Sequence, residues 1–322
     1  MRVVEKVERM INLKISGRGG NQFFQYAYVQ KYIDEHCPNE IMNISFEYLG
    51  DKKTDETTFV NVLKEFNIKK INEISKVKYN KKQKFLDYLY RFTLKLIRIK
   101  AKAKKRSLEQ KDYDFMKKIL QKTLNRNGLY YYIPGENNYY ESKTNNIIFF
   151  GSYEDSATMD DYRDEILKYY KVTTDLNKEA RAIFDIATNT NSVCVTIRRG
   201  DFLLDKHIKN YFICDNRYFV NAVKKMNDLI KNPQYIVFSD DVEWCKDNMN
   251  FPENTVYENA GNTICEKIQI MSACKHFIIS NSTFSWWAQF LGEYSDKKVI
   301  APRKWNNFEY SDLIYQDDWT II

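Results

Sequence analysis

The chain has 322 residues, of which 43% are hydrophobic and 15% aromatic, and its formal net charge is +7. This composition excludes a disordered protein and supplies apolar material for two domains of ordinary size. The apolar stretches are far shorter than the ~18 residues of a membrane-spanning helix, and the charged N-terminus does not match a signal peptide. We therefore expect a cytoplasmic protein.

Cysteine and charge patterns exclude further classes. Six cysteines and three histidines are scattered along the chain without a C-x-x-C pair, so we expect neither a disulfide framework nor a metal site. Residues 69–106 contain fifteen Lys/Arg and two acids, a local charge of +13, which leaves −6 for the rest. No nucleic-acid recognition motif accompanies this charge, and we predict no nucleic-acid partner.

The first half of the chain has the pattern of an α/β domain, which we assign to residues 1–172. A strand at 11–16 runs through a glycine-rich turn into a helix, and a second strand follows at 40–46. Residues 145–155 predict another strand that ends in a loop.

A basic amphipathic helix is predicted over residues 81–106 as an insertion in this domain. Its apolar residues recur at 4-3-4-3 spacing, with Lys and Arg on the other sides, at Phe85, Leu89, Phe92, Leu96 and Ile99. Two interpretations stay open. Either the helix packs on the protein through this stripe, or it makes peripheral contact with an anionic membrane at its inner face.

The second half alternates strand and helix patterns, which is typical of βαβ units and a mostly parallel sheet. We assign residues 173–322 to a Rossmann-like domain. Functional residues of such sheets gather at the carboxyl ends of the strands. Arg198, Asp240 and the run 280–285 fall at such ends.

Adjacent arginines end the first strand of this second domain. Consecutive residues leaving a strand point to opposite sides, so that Arg198 can face a ligand while Arg199 braces the loop. Guanidinium groups bind anions bidentately. Asp201 can orient an arginine, cap a helix or accept a hydrogen bond from substrate. The alternative is an Arg–Asp pair at the surface.

Three further motifs carry polar groups. Asp240 and Asp241 can bind a metal, contact ribose or guanine, or cap the next helix, although no third metal ligand is evident. The run SNSTFSWW at 280–287 has the pattern of an anion site or of a well-capped helix, with tryptophans in the core or against a ligand. GRGGNQ at 17–22 allows close backbone approach but is neither a dinucleotide nor a P-loop fingerprint.

Together these motifs resemble the family-11 fucosyltransferases, which are α-1,2-fucosyltransferases that use GDP-fucose. The family motifs G-G-L-G-N-Q-M-F-Q-Y-A, H-I-R-R-G-D-Y, F-S-D-D-x-x-W, A-N-S-T-F-S-W-W and A-P-x-x-W are matched in order by residues 17–27, 196–202, 238–244, 280–287 and 301–305. The chain departs from the family at Thr196, where histidine is usual, at Arg18 and Gly19, and at Glu154 and Asp155, where a Gln-Ser pair is usual.

The resemblance implies a GT-B type fold, two Rossmann-like domains facing a central cleft. It implies inverting transfer of L-fucose from GDP-fucose to a glycan acceptor, at O2 of a terminal galactose in a β-galactoside, for surface-polysaccharide or lipopolysaccharide synthesis. No metal or other cofactor is implied, so arginine and N–H or hydroxyl donors must meet the charge of the leaving diphosphate. Two other functions stay open: a non-catalytic nucleotide or anionic-glycan binding protein, and an O-acyl or phosphosugar-modifying enzyme.

The resemblance also carries site residues onto this chain. The catalytic candidates are Arg198, for the β-phosphate, Asp201, and Asn21 beside the glycine turn. The substrate-binding candidates are Arg199, Gly20, Gln22, Asp240, Asp241, Ser282, Thr283 and Ser285. The general base that inversion requires is open among Asp201, Asp205, Glu154 and Asp155.

Overall fold

A computed structural model describes residues 9–49, 60–135, 139–172, 174–258 and 261–322. These residues divide into two compact units. The first comprises the described parts of Met1–Leu63, Ile68–Ile166 and Phe308–Ile314, and the second those of Lys64–Asn67, Leu167–Asn307 and Tyr315–Ile322.

Strands and helices alternate along most of the described chain. In chain order they are β1 (Met10–Lys14), α1 (Gly19–His36), β2 (Met42–Ser45), β3 (Ile71–Ile74), α2 (Lys81–Ala103), α3 (Gln110–Met116), α4 (Lys122–Arg126), β4 (Leu129–Tyr131), β5 (Asn146–Phe150), α5 (Ser156–Asp161), α6 (Arg163–Tyr170), α7 (Lys178–Asn189), β6 (Ser192–Ile197), α8 (Ile208–Tyr211), α9 (Asn216–Leu229), β7 (Gln234–Ser239), α10 (Val242–Asn248), β8 (Val256–Glu258), α11 (Ile264–Ser272), β9 (His276–Ile278), α12 (Thr283–Leu291), β10 (Val299–Ala301) and β11 (Thr320–Ile321).

The first unit contains a five-stranded sheet in the order β3-β2-β1-β5-β4, and every pair in it is parallel. The central strand pairs Ile11 with Met42 on one side and with Ile147 on the other. From β1 the chain builds the sheet outward through β2 and β3, and it then builds the opposite side with β4 and β5. The strand order therefore reverses between β1 and β5.

The second unit contains a six-stranded sheet in the order β11-β10-β9-β6-β7-β8, which is also parallel throughout. All six residues of β6 are buried, as expected for a β-branched run covered on both faces. The prediction of two α/β domains built on parallel sheets is confirmed. Here the strand order reverses between β6 and β9, and ligands of such sheets bind outside the carboxyl ends at this point.

Side chains with open assignments at the sequence level are buried in the second unit. Trp286 and Trp287 are both fully buried, and their rings meet edge to face at 5.0 Å between centroids. They belong to the core.

All six cysteines are buried free thiols. Across the described ranges, no helix is both long and apolar enough to span a membrane.

The basic helix α2 begins at a capping box that ties it to the first sheet. The Asn80 side chain accepts from the Gln83 N–H at 2.8 Å, and Gln83 Oε1 accepts from the Asn80 N–H at 3.1 Å. Gln83 is buried, and its Nε2 donates to the carbonyl oxygens of Asn127 and Asn146 at 2.9 and 2.8 Å. These bonds fix the start of α2 against β5.

The apolar stripe of α2 does not pack on the protein as one of the two interpretations required. Four of its five residues, Phe85, Phe92, Leu96 and Ile99, are 46–64% exposed, while Leu89 is partly buried against the core. The buried side is formed by other residues, among them Leu86, Ile97 and Ala101. The packing interpretation of this stripe is therefore wrong, because a second set of apolar residues, which the spacing did not single out, makes the contact.

Candidate active site

The reversal of strand order in the second sheet brings three polar motifs to one edge. Arg198 and Arg199 follow β6, the run 280–282 follows the adjacent β9, and Asp240 follows β7 on the other side of β6. Because all these strands are parallel, their carboxyl ends lie at the same edge of the sheet. The expected grouping of these motifs is thus present in the fold of the second unit.

Arg198 lies between two carboxylates. Its Nη2 donates to Asp201 Oδ1 and its Nη1 pairs with Asp240 Oδ2. The guanidinium also lies 5.8 Å from the ring centroid of Phe202, and 22% of the side chain is exposed. The arginine is therefore held in one orientation before any ligand arrives, and Asp201 helps to orient it.

Arg199 is more buried than its neighbour, with 14% of its side chain exposed. Its Nε donates to Asp241 Oδ2 at 3.0 Å, and its guanidinium lies 3.3 Å from the ring centroid of Trp244, a cation–π contact. Asp241 thereby pairs with Arg199 just before α10. Arg199 braces the loop, as the alternation of side chains predicts.

Asp240 joins the two arginines. Its Oδ2 contacts Arg198, and its Oδ1 accepts from the backbone N–H of Arg199 at 2.9 Å. A Cβ atom on Gly200 would lie 2.7 Å from this Oδ2, so glycine is needed here to leave the carboxylate in place. Asp240 therefore fixes the arginine loop in this structure, while its contact with ribose or guanine stays a prediction.

The side-chain amide of Asn281 fixes the loop after β9. Asn281 Nδ2 donates to the carbonyl oxygens of Tyr211 and Trp305, both at 2.9 Å. Ser285 is buried and its hydroxyl pairs with that of Ser280 at 3.3 Å. Ser282 and Thr283 are partly exposed where the nine-residue α12 begins. The positive end of that helix therefore lies beside the arginines' strand end.

Thr196 connects the two strands at the reversal. Its Oγ1 accepts from the Ser280 N–H at 3.1 Å, and its side chain is buried. The residue that departs from the family histidine thus aligns the two loops of the site. No local pattern indicates this contact, since 84 residues separate its partners.

Thr196→Val keeps the shape of the side chain and removes this acceptor. We expect a loss of about 1–3 kcal/mol in unfolding free energy, because the Ser280 N–H is left buried without its partner. Urea unfolding of the variant would measure it, with Thr188→Val on the exposed face of α7 as the control. Equal midpoints for all three proteins would contradict the assigned contact.

The first sheet has its own polar group at its reversal. Gly17 adopts φ +78°, and a Cβ atom there would lie 3.0 Å from Asn21, so glycine is required in this turn. Asn21, in the first turn of α1, donates through Nδ2 to Glu154 Oε1 at 3.1 Å. Glu154 follows β5, the neighbour of β1. Gly20 is buried beside Asn21.

Gln22 supports this turn. The residue is fully buried, and its Nε2 donates to the carbonyl oxygens of Val60 and Gly17 at 2.8 and 3.2 Å. Its Oε1 accepts from the Val62 N–H at 3.1 Å. Gln22 therefore holds the backbone around Asn21, and its predicted contact with substrate stays a prediction.

Glu154 has the most perturbed carboxyl group among the four candidates for a general base. Burial and the like-charged Glu309 raise the pKa of Glu154 to about 8. The preceding Tyr153 is buried with φ +56°, a conformation that L side chains rarely adopt. Its hydroxyl donates to the Tyr130 carbonyl at 2.7 Å. Such strained backbone persists only where the surroundings fix it.

The other three carboxylates have different surroundings. Asp201 pairs with Arg198. Asp155 caps α5, with its Oδ1 accepting from the Thr158 N–H at 3.1 Å. Asp205 is exposed. Among the residues that the structure describes, no three His, Cys, Asp or Glu side chains form a group that could hold a metal ion.

A cavity of about 570 Å³ opens in the first unit, and Asp155, the residue after Glu154 in the chain, is part of its lining. Its lining combines aromatic and charged side chains, among them Tyr28, Lys31, Tyr32, Tyr139 and Asp155. The rings of Tyr28 and Tyr153 stack at 4.2 Å between centroids. Aromatic faces together with carboxylates are suited to a sugar, which presents both C–H and hydroxyl groups.

Comparison with known proteins identifies the family. The model of glycosyl transferase family 11 matches residues 10–322. The chain belongs to this family. An O-antigen biosynthesis glycosyltransferase of Escherichia coli, WbnK, is 28% identical to it over 319 residues, 95% of this chain and 98% of that protein.

Two further relatives match over shorter regions. An alpha-1,2-colitosyltransferase of Escherichia coli is 31% identical over 187 residues, 55% of this chain and 63% of the relative. The galactoside 2-alpha-L-fucosyltransferase Sec1 of Mus musculus is 27% identical over 139 residues, 40% of this chain and 38% of the relative. The prediction of a family-11 glycosyltransferase is confirmed.

Proposed function

We propose that this family-11 member transfers L-fucose from GDP-fucose, with inversion, to O2 of a terminal galactose in a surface-polysaccharide or lipopolysaccharide-type glycan. One observation carries the proposal: Arg198 is held by two carboxylates at the carboxyl edge of the second sheet, beside the start of α12. Relatives named for α-1,2 transfer of fucose or colitose, and one named for O-antigen biosynthesis, support the reaction class.

The negative charge of the leaving GDP determines which groups the donor site needs. As the anomeric carbon becomes cationic, departing GDP gains negative charge that a fixed donor must meet. In this proposal Arg198 exchanges part of its pairing with Asp201 and Asp240 for β-phosphate oxygens. Arg199 does not need to move, because Asp241 and Trp244 hold it as a brace. Ser282 and Thr283 add hydroxyl or N–H donors.

The acceptor side is assigned to the first unit. Glu154, as a carboxylate, takes the proton from the attacking hydroxyl, and Asn21 orients the carboxyl group through its hydrogen bond. A base is most effective when its pKa lies near the working pH, and the pKa of Glu154, at about 8, meets that condition. The cavity lined by Tyr28 and Tyr139 accommodates the galactose and its neighbouring sugar.

Incubation with GDP-fucose and a β-galactoside tests the proposal. We expect a product heavier by one deoxyhexose in mass spectrometry, with an α-1,2 linkage in its NMR spectrum. GDP-colitose is the matched second donor, because one relative is named for colitose transfer. Nucleotide binding without any product would instead favour the non-catalytic binding protein.

Transfer is expected to proceed at the same rate in EDTA. The proposal assigns the diphosphate charge to Arg198 and to donors around α12, so a divalent cation has no required place. Initial rates with and without EDTA, and with added Mn²⁺ or Mg²⁺, measure this directly. A strict requirement for either metal would contradict the metal-independent mechanism.

A further inference from the structure

The helix α2 has two apolar faces on opposite sides. With 100° of rotation per residue, the buried face is centred on Leu86, Tyr90 and Ile97, which contact the core beneath. Phe85, Tyr88, Phe92, Leu96 and Ile99 form the outward face, and all five are 46–66% exposed. Two rings of this outward face, Tyr88 and Phe92, stack at 6.2 Å between centroids.

Basic side chains border the outward face on both sides. Lys84, Lys95 and Lys102 lie along one border together with Arg91 and Arg98, and Lys82 and Lys100 lie along the other; all of them are exposed. Arg91 pairs with Asp87, and Arg98 lies 3.8 Å from Glu309. Within α2, Asp87 is the one acid against eight basic residues. The exposed surface therefore combines apolar side chains with concentrated positive charge.

We propose that this outward face of α2 docks on the surface of an anionic phospholipid bilayer. The five apolar side chains extend over about 21 Å of helix and enter the boundary between headgroups and acyl chains. The lysines on both borders pair with lipid phosphates. This is the geometry of a helix that lies in the plane of the interface. The buried face keeps α2 attached to the sheet, so docking needs no unfolding of the helix.

The charge of the outward face of α2 favours an anionic bilayer over a second copy of this chain as its partner. A second copy of this chain would bring the same basic borders together, whereas an anionic bilayer neutralises both borders and receives the aromatic rings. Each basic residue near such a surface contributes about 1 kcal/mol to binding. The proposal does not depend on the sugar that the enzyme transfers.

Vesicle flotation of the full chain tests the proposal. We expect the protein to float with vesicles of phosphatidylcholine and phosphatidylglycerol, to stay behind with phosphatidylcholine alone, and to detach at high salt. Phe92→Gln with Leu96→Gln should lower the partition coefficient at least about tenfold. Lys84→Gln with Lys95→Gln and Lys102→Gln should lower it about 100-fold.

Matched controls come from the second unit. Val220→Gln with Leu229→Gln removes two exposed apolar residues, and Lys224→Gln with Lys225→Gln and Lys231→Gln removes three exposed lysines. Both controls should float like the parent, and all variants should keep their Tm and their transfer rate to a soluble acceptor. Flotation of the α2 variants equal to the parent would overturn the proposal. So would light scattering that shows a parental dimer converted to a monomer by the apolar α2 variant.

Discussion

Replacing Arg198 with lysine is expected to lower the rate of sugar transfer about 10²-fold or more, the cost of removing one transition-state donor. Lysine keeps the positive charge and loses the planar, bidentate geometry. The two carboxylates that hold the arginine, Asp201 and Asp240, remain in the variant, so the loss reports on geometry rather than on net charge.

Steady-state kinetics with GDP-fucose measure this effect. Arg217→Lys, at an exposed position of α9, is the matched control and should behave like the parent. A fall in kcat/KM for Arg198→Lys with an unchanged Tm supports phosphate contact in the transition state. Activity close to that of the parent would remove Arg198 from the mechanism.

Glu154→Gln is expected to reduce kcat about 10²–10⁴-fold, which is the usual contribution of a general base. The pKa of Glu154, at about 8, also predicts the pH profile of the parent enzyme. Its activity should rise with pH and level off above about 8, as the carboxyl group loses its proton. The activity of Glu154→Gln should not show this rise with pH.

The raised pKa of Glu154 also makes the stability of the parent protein depend on pH. The pKa of Glu154 is raised in the folded state from its ordinary value of 4.5, so folding favours the protonated form. Parental stability relative to Glu154→Gln should therefore fall as pH rises from 4.5 to about 8. Thermal unfolding at both ends of this range measures the difference. An unchanged rate, together with a Tm difference that does not vary with pH, would contradict both assignments.

Strand order explains why much of the candidate site could be predicted. β6 and β7 are short apolar runs whose ends carry Arg198 and Asp240. Because parallel strands present all their carboxyl ends at one edge, the sequence was sufficient to bring these residues together. The order of the five motifs also indicated the family, and the match of the family model over residues 10–322 establishes it.

Pairings between distant segments could not be predicted in the same way. That Asp240 receives both Arg198 and the Arg199 backbone depends on register and rotamers that no local pattern encodes. The raised pKa of Glu154 could not be predicted either, because it depends on burial and on Glu309, 155 positions further along the chain.

The basic helix shows a further limit of periodicity. The 4-3-4-3 spacing identified a real apolar stripe, but four of its five residues, all except Leu89, face away from the protein. A hydrophobic pattern shows that two faces differ and does not show which face meets the core. Leu86 and Ile97, interleaved with Phe85 and Leu96, supply the contact that the stripe was expected to make.

A crystal structure of the GDP complex tests the central claim most directly. The account predicts the β-phosphate within hydrogen-bonding distance of the Arg198 guanidinium, beside Ser282 and Thr283, with Arg199 still against Asp241 and Trp244. GDP bound at another edge of the second sheet, with Arg198 still paired to both Asp201 and Asp240, would contradict it.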